Sequence, residues 1–298
     1  MSLIVASILV LMFLNLVLGS VSIPLKSVWN IICGLGDEPV TWQNIVWKSR
    51  LPQALTALVA GAGLAISGLQ MQTVFRNPLA GPSVLGISSG ASMGVAFVVL
   101  LSGSLGGVAL SKLGFMGEIA LSIAAVIGSL SVMALIVYVS QKVKGNVTLL
   151  IIGVMIGYVA NAVIGVLKFF SVEEDIRAYV IWGLGSFSRV SGNQMMLFVA
   201  IMAILIPLSF LLIKTLNLML LGDGYARNLG LNIFQTSDHR VLMPAVLFAG
   251  AALALVCNLI ARMPGFEGAL PVNSVTALIG APVVASVLFR KRKNELNE

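Results

Sequence analysis

The stretch RLPQALTALVAGAGLAISGLQMQTVFRNPLAGPSVLGISSGA, Arg50 to Ala91, joins two apolar runs through a short turn rich in proline and glycine. The first run is long enough to cross a membrane as a helix, which takes about 20 residues. Asn77-Pro78 and Gly81-Pro82 interrupt the helix, because a residue before proline is driven out of the helical region. Ser83 is a candidate cap for the next helix. The stretch therefore predicts two membrane-spanning helices joined by a compact turn.

The composition assigns the chain to the membrane proteins. Hydrophobic residues make up 58% of its 298 residues and charged residues only 10%, against about 25% charged in typical soluble domains. The formal net charge of +7 does not indicate a nucleic-acid partner, since basic residues in membrane-protein loops report orientation. We therefore predict an all-α, polytopic transmembrane helical bundle that contacts membrane lipid and binds no nucleic acid.

Apolar segments of spanning length recur along the chain. Between the fifth and the sixth, residues 171–193 are too polar to cross a membrane, and they predict a short surface helix followed by a glycine-rich turn. Eight segments have roughly 20 mainly apolar residues: 2–21, 52–74, 84–103, 117–140, 147–170, 192–214, 239–261 and 272–290. We expect residues 1–298 to form a single transmembrane domain with about eight spans.

The distribution of charge predicts how the chain is oriented. With eight spans both termini lie on one side, which carries ten basic and four acidic side chains, whereas the other side carries eight and seven. Cytoplasmic loops carry the excess of Lys and Arg. Both termini and the turn after Arg76 are therefore predicted to face the cytoplasm, with the chain in the inner (plasma) membrane. The acidic residues 173–175 then face outside.

Residues that carry chemistry are scarce. The single histidine, His239, lies near a predicted helix start, which favours a structural role. Cys33 and Cys257 lie outside any metal-ligand or redox spacing. The chain has no Gly-x-x-x-x-Gly-Lys-Ser/Thr sequence, so any ATP that drives it must be hydrolysed by a partner. We expect no catalytic residue, no metal site and no cofactor.

A secondary carrier is an alternative class. Ionisable residues within spans are costly and are candidates for ion coupling, yet only Lys168 and Glu118 fall inside or near a predicted span. Both lie close enough to a span end for the charged group to reach the lipid headgroups. This scarcity counts against a carrier without excluding one.

Two further patterns concern packing and partners. Gly86, Gly90 and Gly94 recur at every fourth position, which gives their helix a small-residue face for a neighbouring backbone, although such spacings also arise by chance in a glycine-rich chain. The apolar residues of NLMLLGDGYARNLGLN, 217–232, are three or four apart and predict a short amphipathic helix at the membrane face. Such a helix either lies on lipid or enters a groove of a partner.

Four motifs in order resemble those of the FecCD family, the permease subunits of ABC importers for iron-siderophores, haem and cobalamin. The first is the stretch from Arg50 to Ala91, and the others are LNLMLLGDGYARNLGLN, DHRVLMPAVLFAGAALALVCNLIAR and LPVNSVTALIGAPVVASVLFRK. The resemblance covers nearly the whole chain. It implies the fold of a type II ABC importer permease and a homodimer with its translocation path along the dimer axis. It also implies ABC ATPase subunits on the cytoplasmic face and an extracytoplasmic substrate-binding protein on the outer face.

The resemblance further implies roles for particular residues. The segment 217–238 would couple to the ATPase, and two arginines would hold carboxylates of the binding protein. A basic residue often follows the first of these arginines by three positions, but Gln53 stands there in this chain. The implied residues are Leu221, Gly222, Ala226, Leu229 and Gly230 for coupling, Arg50 and Arg262 for docking, Asn146 and Val147 for the cytoplasmic gate, and Asn77, Pro78 and Gly86 for the cytoplasmic turn.

One part of the family pattern is missing. In relatives a long and a short helix follow the coupling segment, whereas LGLNIFQT runs directly into SDHR here. The resemblance thus implies an internal deletion of roughly 35 residues near 236–237, the length of a long and a short helix together, so that the family's ten spans become eight. Neighbouring helices would be left with unpacked small-residue faces. A deletion, a degenerate copy and a working minimal variant all fit, and the unchanged motifs favour a deletion.

The sequence therefore predicts the permease subunit of an ABC importer that moves a metal chelate into the cytoplasm, with an iron-siderophore or haem ahead of cobalamin. ATP hydrolysis on a partner subunit would drive it, and the chain itself would not be an enzyme. The alternatives are a secondary carrier without an ATPase and a transport-incompetent deleted or degenerate permease.

Overall fold

The computed structural model describes residues 1–35, 37–104, 115–143, 145–188, 190, 192–220, 239–263 and 270–295. All the regular secondary structure within these residues is helical, and none of them lies in a β-strand. A π-helical turn, Val46–Arg50, joins the third α-helix to the fourth. In chain order the α-helices are α1 (Ser2–Val17), α2 (Leu25–Cys33), α3 (Val40–Ile45), α4 (Leu51–Phe75), α5 (Ile87–Ser104), α6 (Phe115–Ser140), α7 (Asn146–Phe170), α8 (Glu173–Gly183), α9 (Gly192–Phe210), α10 (Ile213–Leu220), α11 (His239–Ala261) and α12 (Val272–Glu295).

Helices of membrane-spanning character match the predicted spans. Five helical segments are long and apolar enough to cross a membrane: Val40–Phe75, Met116–Ser140, Val147–Phe170, Gly192–Phe210 and His239–Ala261. Three shorter helices are also apolar: Ser2–Val17, Ile87–Leu101 and Val272–Ser286. Each predicted span coincides with one of these helices, and the predicted surface helix is α8. The prediction of an all-α, polytopic membrane chain is confirmed.

The structure departs from the sequence prediction in two local features. The short helices α2 and α3 were not predicted, because their 9 and 6 residues fall far below the length of a span. Helix α5 begins at Ile87, later than predicted, since the Gly86 N–H bonds the Ser83 carbonyl at 3.1 Å in a turn. Gly86 itself has a φ of +73°, which a right-handed helix cannot include. Ser83 therefore does not cap α5.

The chain divides into two compact units, of which the first comprises Met1–Ile66 and Leu184–Glu298. Within this unit α1 packs along α11. Small side chains of α4 let these helices share one apolar cluster, because alanine allows backbones to approach closely. The buried members of the cluster are Ile8, Ala54, Ala57, Ala62, Ala251 and Leu255. A second cluster, with Cys257, Ala261, Val272 and Val275, joins α11 to α12.

The second unit, Ser67–Gly183, is built around α5. Helices α6, α7 and α8 all pack on it, and Val95, Ala96 and Leu100 are buried against them. A Cβ atom added at Gly90 would lie 2.7 Å from the Gly128 carbonyl oxygen of α6, closer than van der Waals contact. The glycine spacing of α5 therefore marks a close helix contact rather than a chance pattern.

Candidate docking, gating and coupling residues

Arg50 is the last residue of the π-helical turn and is only 2% exposed. Its Nη1 donates hydrogen bonds to the backbone oxygens of Leu16 at 2.8 Å and Val17 at 2.7 Å, and its Nη2 donates to that of Val21. The last carbonyls of a helix have no partner within the helix. The Arg50 guanidinium therefore caps the C-terminal end of α1 and holds the turn that follows.

Arg262 directly follows α11 and reaches the same end of α1. Its Nη2 donates to the backbone oxygens of Asn15 at 3.3 Å and Leu18 at 3.1 Å. The two arginines are close neighbours, since a Cβ atom at Gly19 would lie 3.1 Å from Nη2 of Arg262 and 3.2 Å from Nη2 of Arg50. The structure thus brings together the two predicted docking residues and gives both a capping role that the sequence did not predict.

The environment of Arg262 differs from that of Arg50. Burial, and then the positive charge of Arg50, lower the pKa of Arg262 from its usual range to about 10, so its guanidinium stays protonated at neutral pH. Its Nη1 is buried and has no hydrogen-bond partner within the described ranges. A buried donor without a partner is unfavourable. Arg262 itself is only partly exposed, so a partner would meet its guanidinium at the exposed part and not at the buried Nη1.

A buried pair of amides lies next to these arginines. The side chain of Asn15, 0% exposed, donates to the backbone oxygens of Leu11 at 2.8 Å and Leu255 at 3.1 Å. Asn258 of α11 donates to Asn15 Oδ1 at 2.9 Å. This pair was not predicted, although an isolated asparagine inside an apolar run is costly in lipid unless it is bonded. The amides fix how α1 and α11 align.

Replacing Asn258 by leucine is expected to lower the midpoint of thermal unfolding in detergent by a few degrees. The change keeps the number of side-chain heavy atoms but leaves Asn15 Oδ1 buried without its donor, which costs about 1–2 kcal/mol. Asn161→Leu is the matched control, because Asn161 is exposed on α7. Equal midpoints for the two variants, measured by fluorescence, would show that the amide pair does not stabilise the unit.

Gln53 stands where the family resemblance leads us to expect a basic residue. It is 5% exposed, and its Nε2 donates to Ser49 Oγ at 3.0 Å and to the Ser188 carbonyl at 3.4 Å. The side chain thus ties the start of α4 to the turn after Gly185. The side chain at this position is therefore neutral and buried in this chain, whereas the family resemblance predicts a basic residue.

The turn that we predict to face the cytoplasm is shaped by Asn77. Its Oδ1 accepts the Leu79 N–H at 2.9 Å and its carbonyl accepts the Ala80 N–H at 3.0 Å, an arrangement in which the asparagine side chain mimics a backbone turn. Pro78 lies between these contacts and cannot continue α4 as a helix. The bent shape that the sequence predicted for this turn is confirmed.

Gly86, at the end of the same turn, lies against the backbone of α7. A Cβ atom there would come within 2.7 Å of the Gly153 carbonyl oxygen and 3.3 Å of the Gly157 nitrogen. The implied gate residues, Asn146 and Val147, form the first turn of the same helix, about 9 Å further along at 1.5 Å per residue. Val147 is 70% exposed. The turn and the implied gate are therefore both attached to α7.

The implied coupling residues Leu221, Gly222, Ala226, Leu229 and Gly230 lie outside the described residues. The two ends of their segment are described. Asn217 Oδ1 accepts the His239 N–H at 2.9 Å and the protonated His239 Nδ1 at 2.6 Å. His239 begins α11 and is 1% exposed, so the predicted structural role of this histidine is confirmed. The two residues that flank this segment are therefore in contact.

The chain is similar in sequence to one family of known proteins and to several of its members. It matches the FecCD transport family over residues 7–237 and 232–290. It is 32% identical over 288 residues to the vitamin B12 import system permease protein BtuC of Klebsiella pneumoniae subsp. pneumoniae, covering 84% of each chain. It is 30% identical over 316 residues to the hemin transport system permease protein HmuU of Yersinia pestis, covering 93% of this chain and 91% of that one.

A solved structure shares the fold. It is described as an inward-facing conformation of a metal-chelate type ABC transporter, and it superimposes with a TM-score of 0.78 at 23% identity, over 96% of this chain and 97% of that one. The likeness shows that the two chains share a fold.

Both sequence alignments are longer than the part of this chain that they take in. The first runs over 288 positions but takes in 84% of this chain, about 250 residues, which leaves about 38 positions without a residue here. The second runs over 316 positions and takes in 93% of this chain, about 277 residues, and leaves about 39. The two pieces of the family match meet at 232–237.

Proposed function

The chain belongs to the FecCD transport family, and we propose that it is the membrane-spanning permease subunit of an ABC importer that moves a haem- or vitamin B12-type metal chelate into the cytoplasm. The observation that carries the proposal is identity of at least 30% to a vitamin B12 permease and a hemin permease over most of each chain. Both of those substrates are metal ions held in a large planar ring. We therefore place macrocyclic chelates ahead of iron-siderophores.

The energy for transport is proposed to come from partner ATPase subunits. The segment 217–238 is proposed to face the cytoplasm together with both termini, in the inner membrane, and to enter a groove of the ATPase. The Asn217–His239 hydrogen bonds support this, because they bring the two ends of the segment together. A homodimer with a central path follows from the same family membership.

Capture of the substrate-binding protein is proposed to depend on Arg262. Its guanidinium is cationic and partly exposed, which suits a carboxylate of a partner, and charge-assisted hydrogen bonds of this kind fix the register of partners. Arg50 uses its guanidinium on the backbone of the same chain. We therefore propose that Arg50 shapes the surface that Arg262 presents.

An internal deletion near 236–237 is also part of the proposal. It is supported by the gap of about 38 positions and by the place where the two family matches meet. A gap of this size corresponds to about two helices.

The function is tested in proteoliposomes that contain the chain with candidate ABC ATPase and substrate-binding-protein subunits. We expect ATP-dependent uptake of haemin or cyanocobalamin, and no uptake with a non-hydrolysable ATP analogue. Leu229→Asp is expected to weaken ATPase association by more than about tenfold, because an apolar groove disfavours a charge. Asn228→Asp adds the same charge at the neighbouring polar position and is the control.

Two outcomes would point elsewhere. Uptake driven by a proton or sodium gradient without nucleotide would favour a secondary carrier, although Lys168 is held over the Tyr179 ring at 4.8 Å and Glu118 lies in the first turn of α6. Absence of uptake under any energy source, with the three subunits still associated, would indicate a transport-incompetent permease. Unchanged ATPase association of Leu229→Asp would remove the coupling role.

A further inference from the structure

Two guanidinium groups share the last carbonyl oxygens of α1. Arg262 donates hydrogen bonds to the oxygens of Asn15 at 3.3 Å and Leu18 at 3.1 Å, and Arg50 donates to the two oxygens between them at 2.8 and 2.7 Å. The four consecutive oxygens of residues 15–18 therefore each accept a bond from a cation. The C-terminal end of a helix carries a partial negative charge that favours cations. The end of α1 thus sets where the Arg262 side chain lies.

Asn15 contacts three successive turns at the end of α11. Its Nδ2 donates to the Leu255 carbonyl at 3.1 Å, its Oδ1 accepts the Asn258 side chain at 2.9 Å, and its backbone oxygen accepts Arg262. The contacted positions are three and four residues apart, and so they lie on one face of a helix. A single residue of α1 therefore fixes both the height and the rotation of the end of α11.

The amide pair constrains the two helices in a way that their apolar contacts do not. The cluster around Ile8, Ala251 and Leu255 packs through apolar side chains, and the hydrophobic effect has no preferred direction. A hydrogen bond weakens steeply when its donor and acceptor are misaligned. Asn15 and Asn258 are 0% and 1% exposed, so water does not replace this bond. A buried asparagine pair fixes register in coiled coils for the same reason, and here it selects one alignment of α1 and α11.

The alignment of α11 is passed directly to Arg262. Asn258 precedes it by four residues, about one helical turn or 6 Å. No loop separates the two, since α11 runs to Ala261. Because Arg262 is only partly exposed, a shift or rotation of this turn changes how much of its guanidinium a partner can reach.

We propose that Asn15 and Asn258 are positioning residues for the docking cation, Arg262. The amides hold α11 in the alignment in which the exposed part of the guanidinium meets a carboxylate on an acidic face of the substrate-binding protein. Both amides are neutral and buried, so they act on that partner only through Arg262. This inference rests on the docking role of Arg262, which belongs to the proposed function.

The first test measures the alignment without any partner. Spin labels are attached at Val5→Cys on α1 and Met263→Cys after α11, in a chain without its native cysteines. Val5 lies ten residues before Asn15, about 15 Å along the helix axis, a separation that pulsed EPR resolves. In the double variant Asn15→Leu/Asn258→Leu we expect a distance distribution at least about twice as broad as that of the parent, because an apolar core loses its unique packing before it loses stability. Asn161→Leu, on the exposed side of α7, is the control and should not broaden it.

The double variant separates alignment from stability. Replacing both partners of a buried hydrogen bond by apolar groups leaves neither one unpaired, so we expect its thermal midpoint within about three degrees of the parent. If the double variant does not fold, Asn258→Ala takes its place. It removes one amide and adds no volume, and it should broaden the distribution by at least about half, because the bond that selects the alignment is lost.

The second test asks whether the amides act through Arg262. Affinity for the candidate substrate-binding protein of the uptake assay is measured with the full chain in lipid nanodiscs at low ionic strength. We expect the double leucine variant to bind about fivefold more weakly than the parent, and to cause no further loss in a chain that carries Arg262→Gln, because groups that act through one residue are not additive with its removal.

Distance distributions of equal width in the parent and the double variant overturn the positioning role. A loss of affinity that is the same with arginine and with glutamine at position 262 also overturns it, since the amides then act by another route. If Arg262→Gln binds the partner as tightly as the parent does, the docking role in the proposed function fails, and the distances alone decide whether the amides fix the alignment.

Discussion

Replacing Arg50 by glutamine is expected to lower the midpoint of thermal unfolding in detergent by on the order of 10 °C. The side chain bonds three backbone oxygens from a site that is 2% exposed. Its removal leaves buried carbonyls without donors, at a total cost of about 3–5 kcal/mol. Each kcal/mol shifts the midpoint by about 2–4 °C in a chain of 150–250 residues.

Lys48→Gln is the control for the Arg50 variant. Lys48 belongs to the same π-helical turn and carries the same charge, but its side chain is exposed. The control variant should unfold within about a degree of the parent, since an exposed charge contributes little. If both variants unfold at the same temperature, Arg50 does not hold the end of α1.

The Arg262→Gln variant tests whether Arg262 docks the binding protein in addition to capping the end of α1. Its two hydrogen bonds, at 3.3 and 3.1 Å, are longer than those of Arg50, so we expect a smaller loss of stability. Affinity for the binding protein should instead fall by about tenfold at low ionic strength and by less at high salt, where charges are screened. A binding protein that captures Arg262→Gln as tightly as the parent would exclude this docking role.

Gly86→Ala is expected to destabilise the second unit by about 3 kcal/mol or more. A left-handed backbone costs an L-residue about 1–2 kcal/mol, and φ at this position is +73°. The new methyl group would also meet the Gly153 carbonyl at 2.7 Å, a backbone atom that cannot rotate away. The expected result is a large drop in the unfolding midpoint, or loss of the folded chain from detergent extracts.

Gly165→Ala is the matched control on α7. A Cβ atom at Gly165 would have no other atom within 4 Å, and its φ is not positive. Alanine favours a helix over glycine by about 1 kcal/mol, so this variant should be as stable as the parent or slightly more stable. If Gly86→Ala behaves like Gly165→Ala, the turn is not packed against α7.

The sequence by itself determined the class of fold and the places of the helices. Length and hydropathy are properties of contiguous residues, so the span predicted at 239–261 matches α11, His239–Ala261, and the polar stretch before α9 yields a short surface helix. Asn77 and Pro78 shape the backbone of the residues next to them in sequence, and the turn that they predict is present. Helices α2 and α3 were missed because such short segments depend on the unit they pack against.

Only the tertiary structure decided which residues meet. Asn258 bonds Asn15 across 243 positions of sequence, and Arg50 bonds Leu16 across 34. A helix such as α9 is apolar on every side, so its sequence does not show which side faces protein and which faces lipid. The arginines that family resemblance places on a docking surface are therefore seen as caps of α1 only when α1, α4 and α11 are folded together. Hydrogen-bond partners are set by where helices pack, and packing is not a property of any single stretch.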